Sequence, residues 1–506
     1  MDMSKKTTLD VKVEQSPEAQ VGQLRGARIS KLESLREAGV DPYPSGPFMK
    51  DSAAEVVQCE VGCPVTVAGR IMRQRIMGSI AFFQLADSSG TIQIVLSKKD
   101  LKISDSRGFD FWTSYLDLGD IIGVAGVRFD TNTGEKSVRA ATITMLSKAL
   151  APLPDKFKGL QDEETRLRKR YLDIMLNSDV HDMLLKKSKF WNSIRNYLLE
   201  RNFVEVYTPA LEVTTGGGDA RPFKTHHNAL DLDVYLRISM GELWQKRLMV
   251  AGMEKTFEIG RQFRNEGMSP EHLQEYDQME FYWAYANYEL GMELVEDLFK
   301  HMAQETFGTL KFSIDRHGQK FEIDLEKKWE LYDYTETIRR LAGIDITSAT
   351  LAEIETKLRE LGVEYSTVGW NLGRATDSLW KWCRRQIEGP GFLINEPVVV
   401  SPLAKRKADA PHLTERFHVL IAGSELGNGY SELNDPIDQA ARFAEQQKMR
   451  DAGDDEAQMS DHEFIEALEH AMPPTCGFGM SERVFAFLLN KPIRETQTFP
   501  LMRPRH

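Results

Sequence analysis

Thr256-Phe-Glu-Ile-Gly-Arg-Gln-Phe-Arg264, Asn265-Glu-Gly-Met-Ser-Pro-Glu-His-Leu-Gln-Glu-Tyr276 and Asp277-Gln-Met-Glu-Phe-Tyr-Trp-Ala-Tyr285 follow one another without a break. The outer stretches alternate with the period of a strand, and the middle one carries Gly267 and Pro270. The pattern predicts a long-looped antiparallel hairpin. Parity sorts its side chains: Met279, Phe281, Trp283 and Tyr285 share one face, and Gln278, Glu280 and Tyr282 the other. Glu258 and Arg264 join the second face if the strands pair in register. The first face belongs to a core. The second is either the wall of a cavity or a solvated sheet face with incidental ion pairs. In a cavity, an arginine there can grip a phosphate through two parallel hydrogen bonds.

Working outward, Phe417-His-Val-Leu-Ile-Ala-Gly-Ser-Glu425-Leu-Gly-Asn428-Gly-Tyr-Ser-Glu432-Leu-Asn-Asp435 reads as another strand. Gly427 and Gly429 weaken a strand unless a bulge or a close backbone approach needs them. Thr475-Cys-Gly-Phe-Gly-Met-Ser-Glu-Arg483 is a glycine-rich entry to an apolar helix. Residues 181–201 predict an amphipathic helix carrying Leu184, Leu185, Phe190, Ile194, Leu198 and Leu199, with further helices near 289–306, 351–361, 376–387, 437–451 and 461–470. Strands this far apart, with helices between them, imply an α+β domain on an antiparallel sheet.

The front of the chain differs. Ile29, Leu32 and Leu35 predict a helix over 26–38 after a flexible tail, 1–25. Strands near 64–70, 80–85, 91–96, 120–129 and 136–146, with a helix near 107–116, suit a five-stranded oligonucleotide-binding (OB) type β-barrel. The expected organisation is a tail and helix (1–50), an OB-type domain (51–150), a linker (151–178) and a catalytic-sized α+β domain (179–506), with 310–400 mainly helical.

The 506 residues are 41% hydrophobic and 28% charged, with a net charge of -12. Residues 1–150 carry 19 basic and 18 acidic side chains, so the acidity lies behind them. A near-neutral front module permits nucleic-acid binding there and disfavours it along the whole length. No stretch is long and apolar enough to span a membrane, and the first residues lack a signal-peptide core. Four cysteines make no disulfide framework. The expectation is a cytoplasmic protein without membrane contact. Cys59 and Cys63 lack a second pair for zinc, His226 and His227 read as structural, and Trp380, Trp382 and Cys383 as core.

Taken together, these segments resemble the three signature motifs of class II aminoacyl-tRNA synthetases, and in detail the bacterial-type lysyl-tRNA synthetases. Arg75-Ile-Met-Gly78, Arg170-Tyr-Leu-Asp173, Arg201-Asn-Phe-Val-Glu-Val-Tyr-Thr-Pro209, Phe263-Arg-Asn-Glu-Gly267, Ser431-Glu-Leu-Asn-Asp435 and Phe499-Pro-Leu-Met-Arg-Pro504 carry the likeness. The resemblance implies activation of L-lysine by ATP with Mg²⁺, then transfer to the 3′ end of tRNA(Lys). It implies catalytic roles for Arg264, His272 and Arg483. Arg264 would face the α-phosphate and the lysine carboxylate, and His272 and Arg483 the outer phosphates. Glu266 would lie beside the adenine or ribose, and Tyr276 would stack on the base. Glu280 and Glu432 would hold the ε-ammonium with Tyr282 beside them, which suits a strongly hydrated cation whose burial needs carboxylates. Glu242 and Gly218 would face the α-amino group, and Asn428 the carboxylate. Glu425 would hold Mg²⁺, with His418 at the second metal position. Phe82, Gln93 and Arg75 would read the anticodon. The helix of 181–201 and the strand ending at Pro209 would build a homodimer interface.

Three departures stand near the chemistry. His418 replaces a common Mg²⁺-binding glutamate, and histidine is a poor Mg²⁺ ligand. The third motif is one residue shorter, with Met480 where a glycine is usual. One extra residue precedes Glu242 in Ser239-Met-Gly-Glu242. Two rivals follow: a relative that lysylates a protein, which the front barrel argues against, and a non-catalytic RNA-binding descendant.

Overall fold

The computed structural model describes residues 17–104, 107–154, 160, 162–218, 220–316, 318–365, 370–451 and 458–505. The chain folds as two units, Met1–Gln161 and Asp162–His506.

In the first unit, β1 (Pro64–Met77), β2 (Ile80–Asp87), β3 (Gly90–Ser97), β4 (Ile121–Asp130) and β5 (Lys136–Ser147) close a barrel in the order β1-β2-β3-β5-β4. Only β3 and β5 pair in parallel. Alternation fills the interior with Val65, Val67, Phe83, Leu85, Ile92, Ile94 and Ile122. The helix before the barrel runs Pro17–Glu37, so it takes in residues assigned above to the tail; 1–16 lie outside the described residues. Leu32 and Leu35 bury its inner face, and the Arg28 guanidinium donates to the carbonyls of Leu118, Ala149 and Ala151.

The second unit contains β6 (Val204–Glu205), β7 (Leu211–Glu212), β8 (Lys224–His227), β9 (Leu232–Leu236), β10 (Lys255–Phe263), β11 (Glu275–Ala284), β12 (Lys311–Arg316), β13 (Gln319–Asp324), β14 (Glu330–Asp333), β15 (Gly391–Ile394), β16 (Arg416–Ile421), β17 (Ser424–Ser431) and β18 (Thr475–Ser481). Eight of them form one sheet, β14-β15-β16-β17-β18-β11-β10-β6. Its interior is antiparallel, as expected, but the edge pairs β14–β15 and β10–β6 are parallel. One face packs on helices Ser178–Leu199 and Tyr288–Phe307, burying Phe257, Met279, Phe281, Phe417 and Phe478 against Phe190, Ile194, Leu198, Leu298 and Phe299. The other face is left to the site.

The structure corrects several expectations. Residues 418–432 are a hairpin rather than one strand, because Ala422 and Gly423 (φ +43° and +70°) turn the chain. The glycine-rich run enters as the strand β18, and the helix begins only at Arg483. Tyr285 leaves the core face: the strand ends at Ala284, Tyr285 takes φ +62°, and it is 70% exposed. Leu185 and Leu199 remain 59% and 46% exposed on their helix. The stretch 310–400 is mixed. It holds the hairpin β12–β13, two sheet strands and three helices, Tyr334–Ala342, Leu351–Glu360 and Leu372–Arg384, around their own core of Ile338, Ile354, Leu379 and Cys383. Among the described residues no helix is long and apolar enough to cross a membrane.

Candidate active site

Strands β11, β16, β17 and β18 and helix Glu242–Val250 contribute the walls of a cavity of about 400 Å³. Gly218, Glu242, Arg264, Glu266, His272, Tyr276, Glu280, Tyr282, His418, Glu425, Asn428, Glu432 and Arg483 all line it. The hairpin pairs in the register that parity required, with Glu258 opposite Glu280. Glu258, however, does not reach the cavity; it ion-pairs with Arg237 at 2.6 Å.

One end is acidic. Glu280 accepts hydrogen bonds from the Met240 N–H (2.9 Å), the Gln278 amide (2.5 Å) and the Tyr282 hydroxyl (3.2 Å). Burial, reinforced by Glu242, pushes its carboxyl up to about 7. Glu432 is fully buried and its Oε1 has no hydrogen-bond partner. Burial raises its pKa too, although Lys246 opposes the shift. Glu242 accepts from the Tyr430 hydroxyl and from Lys246 at 2.9 Å. The glycines of β18 make this space. A Cβ at Gly477 would stand 2.2 Å from Glu432 Oε1 and 2.8 Å from the Tyr282 ring, and one at Gly479 would stand 3.1 Å from Glu280 Cγ. Gly427 and Gly429 serve the opposite face, where Cβ atoms would strike the rings of Phe478 and Phe417 at 2.5 Å.

The other end is rich in guanidinium groups. Arg264 is oriented by its Nε–H on the Ile238 carbonyl (3.2 Å) and lies over the Tyr276 ring, 5.9 Å from its centroid. Arg483 holds Glu271 at 2.5 Å, and Arg316 approaches the same carboxylate at 3.3 Å. His272 shares a 2.8 Å hydrogen bond with the Ser269 hydroxyl, and burial together with Arg483 lowers its pKa, favouring the neutral ring. Glu425 accepts from the Trp380 indole (2.7 Å) and pairs with Arg384 (3.2 Å). Burial works against its charge, but His418 and Arg384 outweigh it and hold the pKa low. The His418 Nε2 lies 2.8 Å from Glu396. Burial likewise opposes the charge of Glu396, but His418 and Arg416 bring its carboxyl down to about 2.

Sequence reasoning missed Lys246, Glu271, Trp380, Arg384, Glu396, Arg416 and Tyr430. Two signals were available. Lys246 lies four residues after Glu242 on a helix, and Tyr430 two before Glu432 along a strand, so each shares a face with its partner.

In the barrel unit, Phe83 is the inward ring and Phe82 the outward one. Arg75 pairs across from Phe82, and Gln84 from Gln93, so Arg75, Phe82 and Gln93 share one outer face. Gln93 donates to the Ser137 hydroxyl at 2.8 Å.

Comparison with known proteins agrees with this geometry. Residues 162–503 match the family of class II tRNA synthetases (D, K and N), and residues 65–146 match the OB-fold nucleic acid binding domain. A lysine–tRNA ligase of Edwardsiella ictaluri is 42% identical over 497 residues, covering 95% of this chain and 96% of its own. That of Pelotomaculum thermopropionicum is 42% identical over the whole of both chains, and that of Thermotoga maritima 40% over 94% and 95%. The chain belongs to the class II tRNA synthetases, in the family of the lysine–tRNA ligases.

Proposed function

We propose that this chain activates L-lysine with ATP and charges tRNA(Lys) with it. The observation that carries the reading is a single cavity with Glu242, Glu280 and Glu432 at one end and Arg264 and Arg483 at the other. A buried ammonium needs carboxylates, and a nucleotide needs guanidinium groups. Lysine lies with its side chain among the acids and its carboxylate toward Arg264 and Asn428, while Gly218 and Glu242 take the α-ammonium. The lysine carboxylate oxygen attacks the α-phosphorus of ATP. The new O–P bond replaces the bond to pyrophosphate, which leaves toward His272 and Arg483. A 3′-terminal ribose hydroxyl of the tRNA then attacks the lysyl carbonyl, and AMP departs. Arg264 neutralises charge gathering on the α-phosphate, and such steps depend mainly on positioning and charge. Tyr276 stacks on the adenine and Glu266 closes the rim.

The donors also bear on Mg²⁺. Glu425 is a half-buried carboxylate at the cavity wall, and among the described residues no three His, Cys, Asp or Glu side chains converge on one metal position. One carboxylate suits an ion whose other ligands are substrate phosphates and water. When bound, the ion neutralises phosphate charge. We assign that contact to Glu425 and not to His418, whose ring nitrogen faces Glu396.

The outer face of the barrel is assigned to the anticodon, and a cytoplasmic homodimer is the assembly we favour. Exposed Leu199, Val204, Tyr207, Leu211 and Val213, clustered in sequence at the first motif, support a covered surface there.

Two measurements test the assignment. Lysine should drive ATP–pyrophosphate exchange with the purified chain, and arginine, norleucine and aspartate should not. Retained tRNA binding without exchange would instead make the chain a non-catalytic descendant. Phe82→Ala should weaken tRNA charging through a KM for tRNA raised about tenfold, the worth of one stacked base, with lysine-dependent exchange unchanged. Equal losses in both assays would remove the anticodon role.

A further inference from the structure

Lys246 stands behind the acidic wall rather than in the cavity. Its side chain is fully buried. Its Nζ lies 2.9 Å from Glu242 Oε1 and 2.5 Å from Glu432 Oε2, bridging two of the three site carboxylates. The rings of Tyr430 and Phe464, with centroids 5.6 and 5.8 Å away, lie beside it. Glu280, the third acid, accepts from neutral donors. Glu258 is answered separately by Arg237. The acidic end therefore sets three carboxylates against one ammonium and is short by two positive charges. An amino acid with an α-ammonium and a distal ammonium supplies both, once its carboxylate is held at Arg264.

We propose that Lys246 is a resident counter-cation, a positioning residue that pairs with both Glu242 and Glu432, favours the charged form of that wall and so fits the pocket to a ligand carrying two ammonium groups. The proposal rests on the reading that the cavity takes lysine. Its physical basis is that a buried carboxylate without a cation takes up a proton rather than remain charged. Lys246 itself stays charged: burial opposes this, but Glu242 and Glu432 more than offset it and raise its pKa. Among the described residues, the titratable groups at this wall include Glu242 on the same helix as Lys246, Tyr430 and Glu432 from β17 and the residue after it, Glu280 and Tyr282 on β11 and Cys476 on β18; helix His462–Glu469 presents the Phe464 ring. Losing the ammonium therefore falls on Glu242 and Glu432. Glu432, already raised by burial, would hold its proton to higher pH still, and an ammonium ligand would meet a less charged wall.

The test is the pH profile of kcat/KM for L-lysine in pyrophosphate exchange, measured on the full chain as wild type, Lys246→Met and Lys246→Arg. Lys246→Met should move the acidic limb up by about one pH unit or more, with lysine KM raised at pH 7 and ATP KM little changed. Lys246→Arg, which keeps the charge, should hold the limb near its wild-type position. A Met variant that loses activity at every pH, without a displaced limb, would reduce Lys246 to scaffold and overturn the proposal. If that variant does not fold, the comparison moves to Glu432→Gln with and without Lys246→Met. There the acidic limb must still move up when the ammonium that pairs with Glu242 at 2.9 Å is gone, and an unmoved limb overturns the proposal equally. A wild-type chain whose exchange ignores lysine would remove the functional reading first, and this proposal with it.

Discussion

Glu432→Gln should raise the KM for lysine about 30- to 5000-fold in pyrophosphate exchange while changing kcat far less. The carboxylate is buried beside Tyr282, and only the absence of a side chain at Gly477 lets it reach that position. Removing one member of a buried charge pair costs about 2–5 kcal/mol, much of it from the charge left behind. Here two ammonium groups lose a partner, that of the substrate and that of Lys246. The loss falls on binding because the ε-ammonium lies far from the bonds that change. The wild-type pH dependence has a defined sign. Burial raises Glu280 to about 7 and raises Glu432 as well, so both gain protons as pH falls through neutrality. Lysine KM should therefore rise toward pH 6 and fall toward pH 8. The same shifts act on the unliganded fold: an acid whose folded pKa is raised contributes stability at low pH that is lost as pH climbs through that value. Thermal melts should accordingly show lysine stabilising the chain more at pH 8 than at pH 6. A lysine KM that stays flat with pH, or is untouched by the substitution, would displace these acids from the ammonium site.

Arg264→Ala should lower kcat for exchange by about 10²–10³-fold, with kcat/KM for both substrates falling alongside it. The guanidinium is held by the Ile238 carbonyl and lies against Tyr276, so it waits in place before the nucleotide arrives. A preorganised donor aimed at charge that builds during the reaction is worth about that factor. Arg264→Lys should recover little, because one ammonium cannot make two parallel hydrogen bonds. Calorimetry of lysine binding without ATP gives the control: a weak effect there alongside a large kcat loss separates the phosphate role from the carboxylate role. A kcat within a few-fold of wild type would move the catalytic arginine elsewhere.

Much of this site was legible from local period. Glu280 and Tyr282 are two apart on a strand and had to share a face, and core residues Met279 and Phe281 had to take the other. The barrel was legible for the same reason, but period alone left Phe82 and Phe83 at even odds, and only the folded barrel turns Phe83 inward. Other features depend on contacts the linear pattern cannot carry. A lysine on a helix usually reads as solvated; spacing alone ties Lys246 to Glu242, but its burial against the distant Glu432 declares itself only in the fold. Glu396 reaches His418 from a strand edge 22 residues earlier. The hairpin turn at Ala422-Gly423 was hidden because the unbroken apolar run Val419-Leu-Ile-Ala422 leads straight into it. Leu185 and Leu199 match the helical stripe but face away from the core, because the stripe is wider than the face the sheet covers.

The anchoring of Glu425 has a consequence for anyone seeking a smaller enzyme. Trp380 and Arg384, which fix its carboxylate, both come from the end of the three-helix insert. Residues 334–384 look dispensable on a topology diagram, since they bud from one margin of the sheet. Excising them would strand Glu425, the carboxylate we assign to Mg²⁺, without its clamp, so a miniaturised catalyst must either keep that bundle or rebuild an indole and a guanidinium in its place.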